Sequence, residues 1–177
     1  SFATLSTGEP IENPKWYRKS EKKLRVAQRK VSRRKKGSHR RKKAVRELQV
    51  AHSKIRNQRL DFHHQLVHKL LLRYDTIYFE DLNIKGMVQN PHLAKSILDA
   101  AWGQFTRILT YEAEYADKQG LAVPAPGTSQ RCWRCGTIVK KGLSNRWHSC
   151  PNCGEELHRD HNSALDILRL GRSLQAQ

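Results

Sequence analysis

The feature that most constrains the fold is a pair of cysteine knuckles in the last third of the chain. Cys132 and Cys135 form one C-x2-C pair, Cys150 and Cys153 form the second, and fourteen residues separate the two pairs. Each pair can turn both sulfurs toward one ion, and the segment between them can return as a hairpin, which is typical of a structural zinc site. Because four thiolates complete a tetrahedron, no position is left open for chemistry. The sequence predicts a zinc ribbon over residues 127–157.

Two other uses of the cysteines stay open. They could form two disulfides, although the sequence contains no apolar signal stretch and no further cysteine that would point to an oxidising compartment. His148 could replace one thiolate as a metal ligand, although four cysteines make it unnecessary. We expect a cytoplasmic, nucleoid-associated protein rather than a secreted one.

The charge of the chain points to a polyanionic partner. The sequence has 34 Lys and Arg residues against 16 Asp and Glu residues, a formal net charge of +18. Seventeen of the basic residues lie between Lys15 and Arg46, where Glu21 is the one acid. Like charges four residues apart destabilise a helix, and phosphates would relieve that repulsion, so we expect nucleic acid as the partner. A solvated helix face and an anionic membrane surface are the alternatives, but no run approaches the ~18 apolar residues of a membrane span.

The rest of the chain alternates strands with helices. The periodicities predict, in order, a β-hairpin over 1–11, a helical hairpin over 14–73 with helices over 16–36 and 39–73, a buried strand over 76–81, a loop over 82–87, a helix over 93–119, a strand over 121–123 and a helix over 162–170. The candidate core positions are Ala44, Leu48, Ala51, Ile55, Phe62, Leu66 and Leu70 in the long helix, and Ala164, Leu165, Ile167 and Leu168 in the last helix. This order favours an α/β sheet domain over 1–126 and 158–177, into which the helical hairpin and the zinc ribbon are inserted.

Two carboxylates stand where a catalytic metal could be bound. Glu80 lies at the end of the predicted strand, and Asp160 lies at the start of the last helix. Two carboxylates from distant parts of a chain can hold Mg²⁺ for the hydrolysis of phosphodiesters. From spacing alone the alternatives stay open that Asp160 only caps its helix, and that Glu80 or its neighbour Asp81 only ends a strand.

Four segments taken together resemble the TnpB (OrfB-type) transposon proteins, which are related to the CRISPR type V effectors. They are FEDLNIKGM at 79–87, HLAKSILDAAWGQF at 92–105, TSQRCWRCG at 128–136 and CPNCGEELHRDHNSALDIL at 150–168. The resemblance covers nearly the whole chain. It implies an RNase H-like (RuvC) nuclease core with an inserted zinc ribbon, belonging to an RNA-guided DNA endonuclease with DNA and guide RNA as partners. It also implies that Glu80 and Asp160 are catalytic acids that bind magnesium, with Asp81 as the second choice.

The sequence departs from this family in two respects. The family's first catalytic Asp lies on a strand that precedes the one matching SFATLSTGE, and Glu9 and Glu12 stand on the wrong side of the hairpin to replace it. His158 occupies a position where such proteins often carry Asp. We therefore expect an N-terminally truncated nuclease region that is inactive alone.

Two other functions compete with the truncated nuclease. One is a zinc-ribbon protein that binds nucleic acid without catalysis, and the other is a structural protein of a nucleoprotein particle. The relation between Glu80 and Asp160 separates these hypotheses, because two-metal chemistry needs carboxylates that can share ions about 4 Å apart.

Overall fold

The structure, a computed structural model, describes residues 1–124, 126–142 and 145–176. Residues 125, 143, 144 and 177, which the predicted core and ribbon include, lie outside the described residues. In chain order the elements are β1 (Ala3–Thr4), β2 (Pro10–Ile11), α1 (Trp16–Ser32), α2 (His39–Arg73), β3 (Thr76–Asp81), α3 (Ile84–Met87), α4 (Pro91–Ala100), α5 (Trp102–Tyr115), β4 (Gln119–Pro124), β5 (Trp147–Ser149), β6 (Glu156–His158) and α6 (Arg159–Gln175).

The described residues form two compact units. The strand unit contains residues 1–13, 71–83 and 109–177, and the helical unit contains residues 14–70 and 84–108. The predicted boundaries of the sheet domain and the ribbon stay predictions. None of the described helices combines the length and the apolar character that a membrane crossing requires.

The strand unit is built on one parallel pair of strands. β3 pairs with β4 from Thr76 opposite Gln119 to Asp81 opposite Pro124. The β-branched and aromatic residues of β3 favour a strand, as predicted. The prediction that this strand is buried was wrong, since five of its residues are half-buried and the last is exposed. β4 is its one strand neighbour within the described ranges, so β3 lacks the second partner that would enclose it.

Two short antiparallel pairs are the other named strands in the described part of this unit. β1 and β2 form the predicted hairpin, whose turn includes Gly8 at a φ of 87°. β5 and β6 pair from Trp147 opposite His158 to Ser149 opposite Glu156, and they enclose the second cysteine knuckle.

α6 covers β3 and β4 and runs antiparallel to them. Near its C-terminal end the backbone at Gly171 lies so close to the ring of Tyr78 that a Cβ would overlap it. Gln175 in the last turn hydrogen-bonds with both Tyr78 and Gln119, the first residue of β4. At the other end of α6, Asn162 hydrogen-bonds with Arg131, which follows β4. The first turn of α6 therefore lies toward the carboxyl ends of the two strands.

The core face of α6 differs from the predicted one. The buried residues are Asn162, Asp166 and Gly171, of which Asn162 and Asp166 lie one turn apart on one face. The predicted core positions Ala164, Leu165, Ile167 and Leu168 are half-buried. The helix also extends beyond the predicted range of 162–170 at both ends, because His158 caps its first turn with an imidazole nitrogen.

In the helical unit, α1 and α2 form the predicted helical hairpin. Lys30 of α1 and Glu47 of α2 pair at 2.6 Å. α1 ends at Ser32 rather than at the predicted residue 36. The turn that follows it contains Gly37, whose φ of 81° suits a residue without a Cβ. In α2, Ala44, Ile55 and Leu70 are buried as predicted, whereas Leu48, Ala51, Phe62 and Leu66 are half-buried. The buried residues His63, Val67 and Leu71 were missed.

The predicted helix over 93–119 is two helices. α4 begins earlier because Asn90 accepts a hydrogen bond from the His92 N–H and Pro91 occupies the first helical position. Ala101 at a φ of 52° separates α4 from α5, and α5 ends at Tyr115. The predicted loop over 82–87 contains the short helix α3.

Candidate metal sites

The four cysteines meet at one point in the strand unit. Their sulfurs all lie within 4.8 Å of one another, with Cys132 3.7 Å from Cys153 and Cys135 3.5 Å from Cys150. Four sulfurs held about 2.3 Å from a zinc ion in a tetrahedron stand about 3.8 Å apart, so the cysteine cluster fits such an ion. All four are free thiols, and their spacing exceeds the ~2 Å of a disulfide, which argues against the disulfide alternative.

The two knuckles are built alike. In each, the glycine that follows the second cysteine donates its N–H to the carbonyl of the first cysteine, Gly136 to Cys132 at 2.8 Å and Gly154 to Cys150 at 3.0 Å. Both glycines have a positive φ, 78° and 72°, which side chains with a Cβ rarely adopt. The glycine after each C-x2-C pair thus closes the turn that directs both sulfurs inward.

The surroundings of the cluster favour the thiolate at Cys135, whereas burial raises the pKa of the Cys132 thiol. Hydrogen bonds with Thr137 lower the pKa of Cys135 to about 5. His148 is fully buried beside the cluster and accepts a hydrogen bond from Lys141 at Nδ1, while burial lowers its pKa. The ligand group found in the described part of the chain contains the four cysteines and not His148, so the cysteines suffice as predicted.

The first knuckle is fixed to α6 by buried polar side chains. Asn162 is fully buried, donates to the Arg131 carbonyl at 2.7 Å and accepts from the Trp133 N–H at 3.2 Å. One turn along the helix, fully buried Asp166 accepts from the Arg169 guanidinium at 2.8 Å and lies 3.9 Å from the Arg131 guanidinium. Sequence reasoning missed both buried residues, although their spacing of four places them on one helix face.

Glu80 lies near the carboxyl end of β3 and is half-buried. Its carboxylate accepts a hydrogen bond of 2.9 Å from the Thr128 hydroxyl, and Thr128 is itself buried. Burial raises the pKa of Glu80 above its ordinary value, and the Thr128 hydrogen bond opposes that rise. A carboxylate that is partly removed from water in this way gains from a nearby cation.

Asp160 lies in the first turn of α6 and does not cap it. The N-cap is His158, whose Nδ1 accepts from the Asp160 N–H at 3.3 Å. The Asp160 carboxylate is one-third exposed and lies 3.6 Å from Arg159 Nε and 3.9 Å from His158 Nδ1. The capping alternative for Asp160 was wrong, so its carboxylate is not committed to the helix backbone.

The fold brings Glu80 and Asp160 to the same end of the strand unit. α6 runs antiparallel to β3, so its first turn lies toward the strand ends where Glu80 stands. The segment from Thr128 to Arg131 contacts both sides, because Thr128 bonds Glu80 and Arg131 bonds Asn162. Across residues 1–124, 126–142 and 145–176, however, the cysteine cluster is the one group of three or more ligands, and no third carboxylate joins these two acids.

The basic segment, residues 15–46, presents its charge to solvent. Sixteen of its seventeen Lys and Arg residues are exposed, and the exception is half-buried Arg41. Trp16 is half-buried with Lys19 over its ring at 5.1 Å, so its indole packs within the helical unit.

Comparison with known proteins assigns the family. Residues 1–91 match the OrfB_IS605 family, described as "Probable transposase", and residues 102–167 match the family described as "Cas12f1-like, TNB domain". The chain belongs to the OrfB_IS605 family. The predicted resemblance to TnpB (OrfB-type) proteins is thereby confirmed, and the second match covers the cysteine cluster and the first half of α6.

The relatives of this family member are longer than the chain. Over 99% of its length it is 38% identical to the "Putative RNA-guided DNA endonuclease" of Streptomyces pristinaespiralis and 35% identical to the "Putative RNA-guided DNA endonuclease InsQ" of Escherichia coli K12, covering 44% and 48% of those proteins. Over 76% of its length it is 29% identical to the TnpB-like protein L79 of Acanthamoeba polyphaga mimivirus, covering 27% of it. The chain spans about half the length of the first two relatives.

A solved structure shares the fold. The cryo-EM structure of a Cas12f1–sgRNA–target DNA complex contains a chain that superposes with a TM-score of 0.59 at 14% identity, covering 89% of this chain and 42% of that one. At this identity the likeness concerns the mixed α/β fold alone, which agrees with the predicted fold class at that level.

Proposed function

We propose that this OrfB_IS605 family member is the RuvC-type, RNase H-like nuclease region of a TnpB-like RNA-guided DNA endonuclease, with Glu80 and Asp160 as magnesium ligands and the cysteine cluster as a structural zinc site. The observation that supports the proposal is that the segment from Thr128 to Arg131 bonds both Glu80 and the first turn of α6, which contains Asp160. The names of the curated relatives, RNA-guided DNA endonuclease and TnpB-like protein, agree with it.

Each acid is suited to a different part of a divalent-ion site. Bound magnesium would activate water and stabilise the leaving oxygen of a phosphodiester. Glu80 offers a partly desolvated carboxylate whose direction is fixed by the Thr128 hydroxyl. Asp160 offers a one-third exposed carboxylate on the first turn of a helix, where it can meet an ion from solvent. Oxygen ligands of this kind are those that Mg²⁺ prefers.

Two carboxylates are a weak site by themselves. The family resemblance implies a third acid, and no third carboxylate lies with these two among the described residues. We therefore expect the chain alone to bind divalent ions weakly and to leave DNA uncut. The lack of a third acid among the described residues also favours the second candidate function, a zinc-stabilised nucleic-acid-binding protein without catalysis.

The basic segment would bind the partner. Sixteen exposed Lys and Arg residues on α1, the turn and the start of α2 suit the phosphates of DNA and guide RNA, and they carry no base-reading pattern. A DNA-binding role would place the protein with the nucleoid. Binding of a generic RNA–DNA hybrid should weaken linearly in a plot of log affinity against log salt. A salt-independent affinity would contradict the phosphate contacts.

Manganese binding tests the acidic site. Mn²⁺ titrated into the chain and followed by electron paramagnetic resonance should show binding that Glu80→Gln and Asp160→Asn each remove. Asp81→Asn is the matched control, because Asp81 is the exposed neighbour on the same strand. Equal Mn²⁺ binding by the wild type and both variants would reject the nuclease assignment and leave the binding protein. Titration with Co²⁺ tests the cluster, since four thiolates give a tetrahedral cobalt spectrum.

A further inference from the structure

The first turn of α6 is held on two sides by different parts of the strand unit. On one side His161 lies 3.0 Å from the Ser6 carbonyl, and the backbone of Gly8 in the β1–β2 turn packs against its imidazole. On the other side Asn162 meets the first cysteine knuckle. Asp160 sits in the same turn, so the position of its carboxylate depends on both attachments.

The attachment to the knuckle surrounds one cysteine of the cluster. Asn162 donates to the carbonyl of Arg131 and accepts from the N–H of Trp133, the two neighbours of Cys132. The Arg131 side chain is also held, because its guanidinium lies 3.9 Å from the carboxylate of Asp166. The backbone on both sides of Cys132 is therefore fixed to the helix that carries Asp160, through side chains that are fully buried.

We propose that Asn162 is a positioning residue that makes the placement of Asp160 depend on a metal ion in the cysteine cluster. With an ion bound, Cys132 is fixed, its two neighbours hold the Asn162 amide, and the first turn of α6 is clamped on both sides. Without the ion the knuckle relaxes and the Asn162 hydrogen bonds are lost. The turn is then held by the contact of His161 with the Ser6 carbonyl and by the bond from the Arg159 N–H to the Arg146 carbonyl. The meaning for catalysis rests on the proposed function of Asp160, whereas the coupling itself does not.

Amide hydrogen exchange of the full chain measures this coupling directly. The amides of residues 163–166 are the first that donate within α6, so they report on its first turn. In the wild type, removal of zinc with a chelator should accelerate their exchange at least about tenfold. In Asn162→Ala their exchange should already be fast with zinc bound and should not change on chelation, while zinc affinity falls about tenfold, as for other residues that orient a metal ligand.

Asn145→Ala is the matched control, since Asn145 also bonds a backbone N–H, but that of Trp147 at 3.0 Å near the second knuckle rather than the backbone beside Cys132. It should exchange as the wild type does in both states. Should Asn162→Ala fail to fold, Asn162→Asp keeps the acceptor for Trp133 and loses the donor to Arg131, and it should show an intermediate response. Exchange at 163–166 that is insensitive to zinc in the wild type, or equally sensitive in the Asn162 variants, overturns the inference. Absent Mn²⁺ binding would instead reject the proposed function and leave the coupling in place.

Discussion

The burial of His63 should make the helical unit lose stability in mild acid. His63 is fully buried on α2, its Nε2 lies 3.1 Å from the Ala100 carbonyl, and its ring meets Phe105 edge-on at 5.8 Å. Burial, with smaller contributions from the charges of Arg59 and His64, lowers its pKa from 6.5 to about 4. In the native state His63 therefore stays neutral over a pH range in which the same histidine of the unfolded chain takes up a proton.

The sign and size of the effect follow from that difference. Because the folded pKa lies below the unfolded one, His63 costs no stability above pH ~6.5 and costs more as pH falls toward about 4. Near pH 5 the unfolded histidine is protonated about thirtyfold over its neutral form and the folded one hardly at all, so the loss is about 2 kcal/mol. It approaches about 3 kcal/mol at lower pH.

Urea unfolding of the wild type and His63→Gln, followed by circular dichroism near pH 7.5 and near pH 5, tests this. Glutamine keeps a donor that can reach the Ala100 carbonyl but does not titrate, so the variant should lose about 2 kcal/mol less than the wild type between the two conditions. His68→Gln, on an exposed position of the same helix, should behave as the wild type. Equal losses in wild type and His63→Gln would refute the reasoning, whatever other groups titrate.

Two further predictions concern the cluster and the start of α1. Removal of zinc by a chelator, or Cys132→Ser, should unfold the region from 128 to 157, because thiolate binding supplies much of the folding energy of such a module. The fluorescence of Trp133 and Trp147 should change as a result. An unchanged fluorescence spectrum would contradict the structural role of the cluster. Asp99→Ala should destabilise the helical unit by about 1 kcal/mol in urea unfolding, because the Asp99 carboxylate accepts from the N–H groups of residues 17 and 18 and replaces a missing cap. Ser96→Ala, which removes only an exposed contact with Arg18, should cost far less.

The cysteine cluster and the helical hairpin could be predicted because their signals are local. Two C-x2-C pairs followed by glycine specify a turn and a ligand set, and the charge and period of residues 16–73 specify two helices. The break at Ala101 could not be predicted in the same way, since neither Gly nor Pro marks it. Tertiary packing rather than local preference sets the left-handed conformation there.

The buried face of α6 was missed for a different reason. Apolar residues were expected inside. Asn162 is buried because it bonds backbone groups of the cysteine knuckle, and Asp166 is buried against the guanidinium groups of Arg169 and Arg131. The knuckle partners come from residues about thirty positions earlier and leave no mark on the helical period. A polar pair four residues apart within an otherwise apolar stripe is the one signal that could have indicated them.

Glu80 can be tested without a nuclease assay, because a carboxylate that is partly buried without a cation beside it should weaken the fold. Burial raises the pKa of Glu80, so the folded state disfavours its charge, and this carboxylate costs stability as pH rises above its unfolded pKa. Glu80→Gln keeps an acceptor for the Thr128 hydroxyl and removes the charge, so it should raise the melting temperature of the metal-free chain at neutral pH. Glu80→Gln should also remove Mn²⁺ binding. A substitution that stabilises the chain and abolishes metal binding would indicate that Glu80 serves function rather than stability. Glu9→Gln is the comparison, since Glu9 pairs with Arg73 at 2.9 Å on the surface and its loss should not stabilise the chain. A Glu80→Gln variant that melts below the wild type without metal would mean that Glu80 is a structural residue of β3, and the acidic site would lose its first ligand.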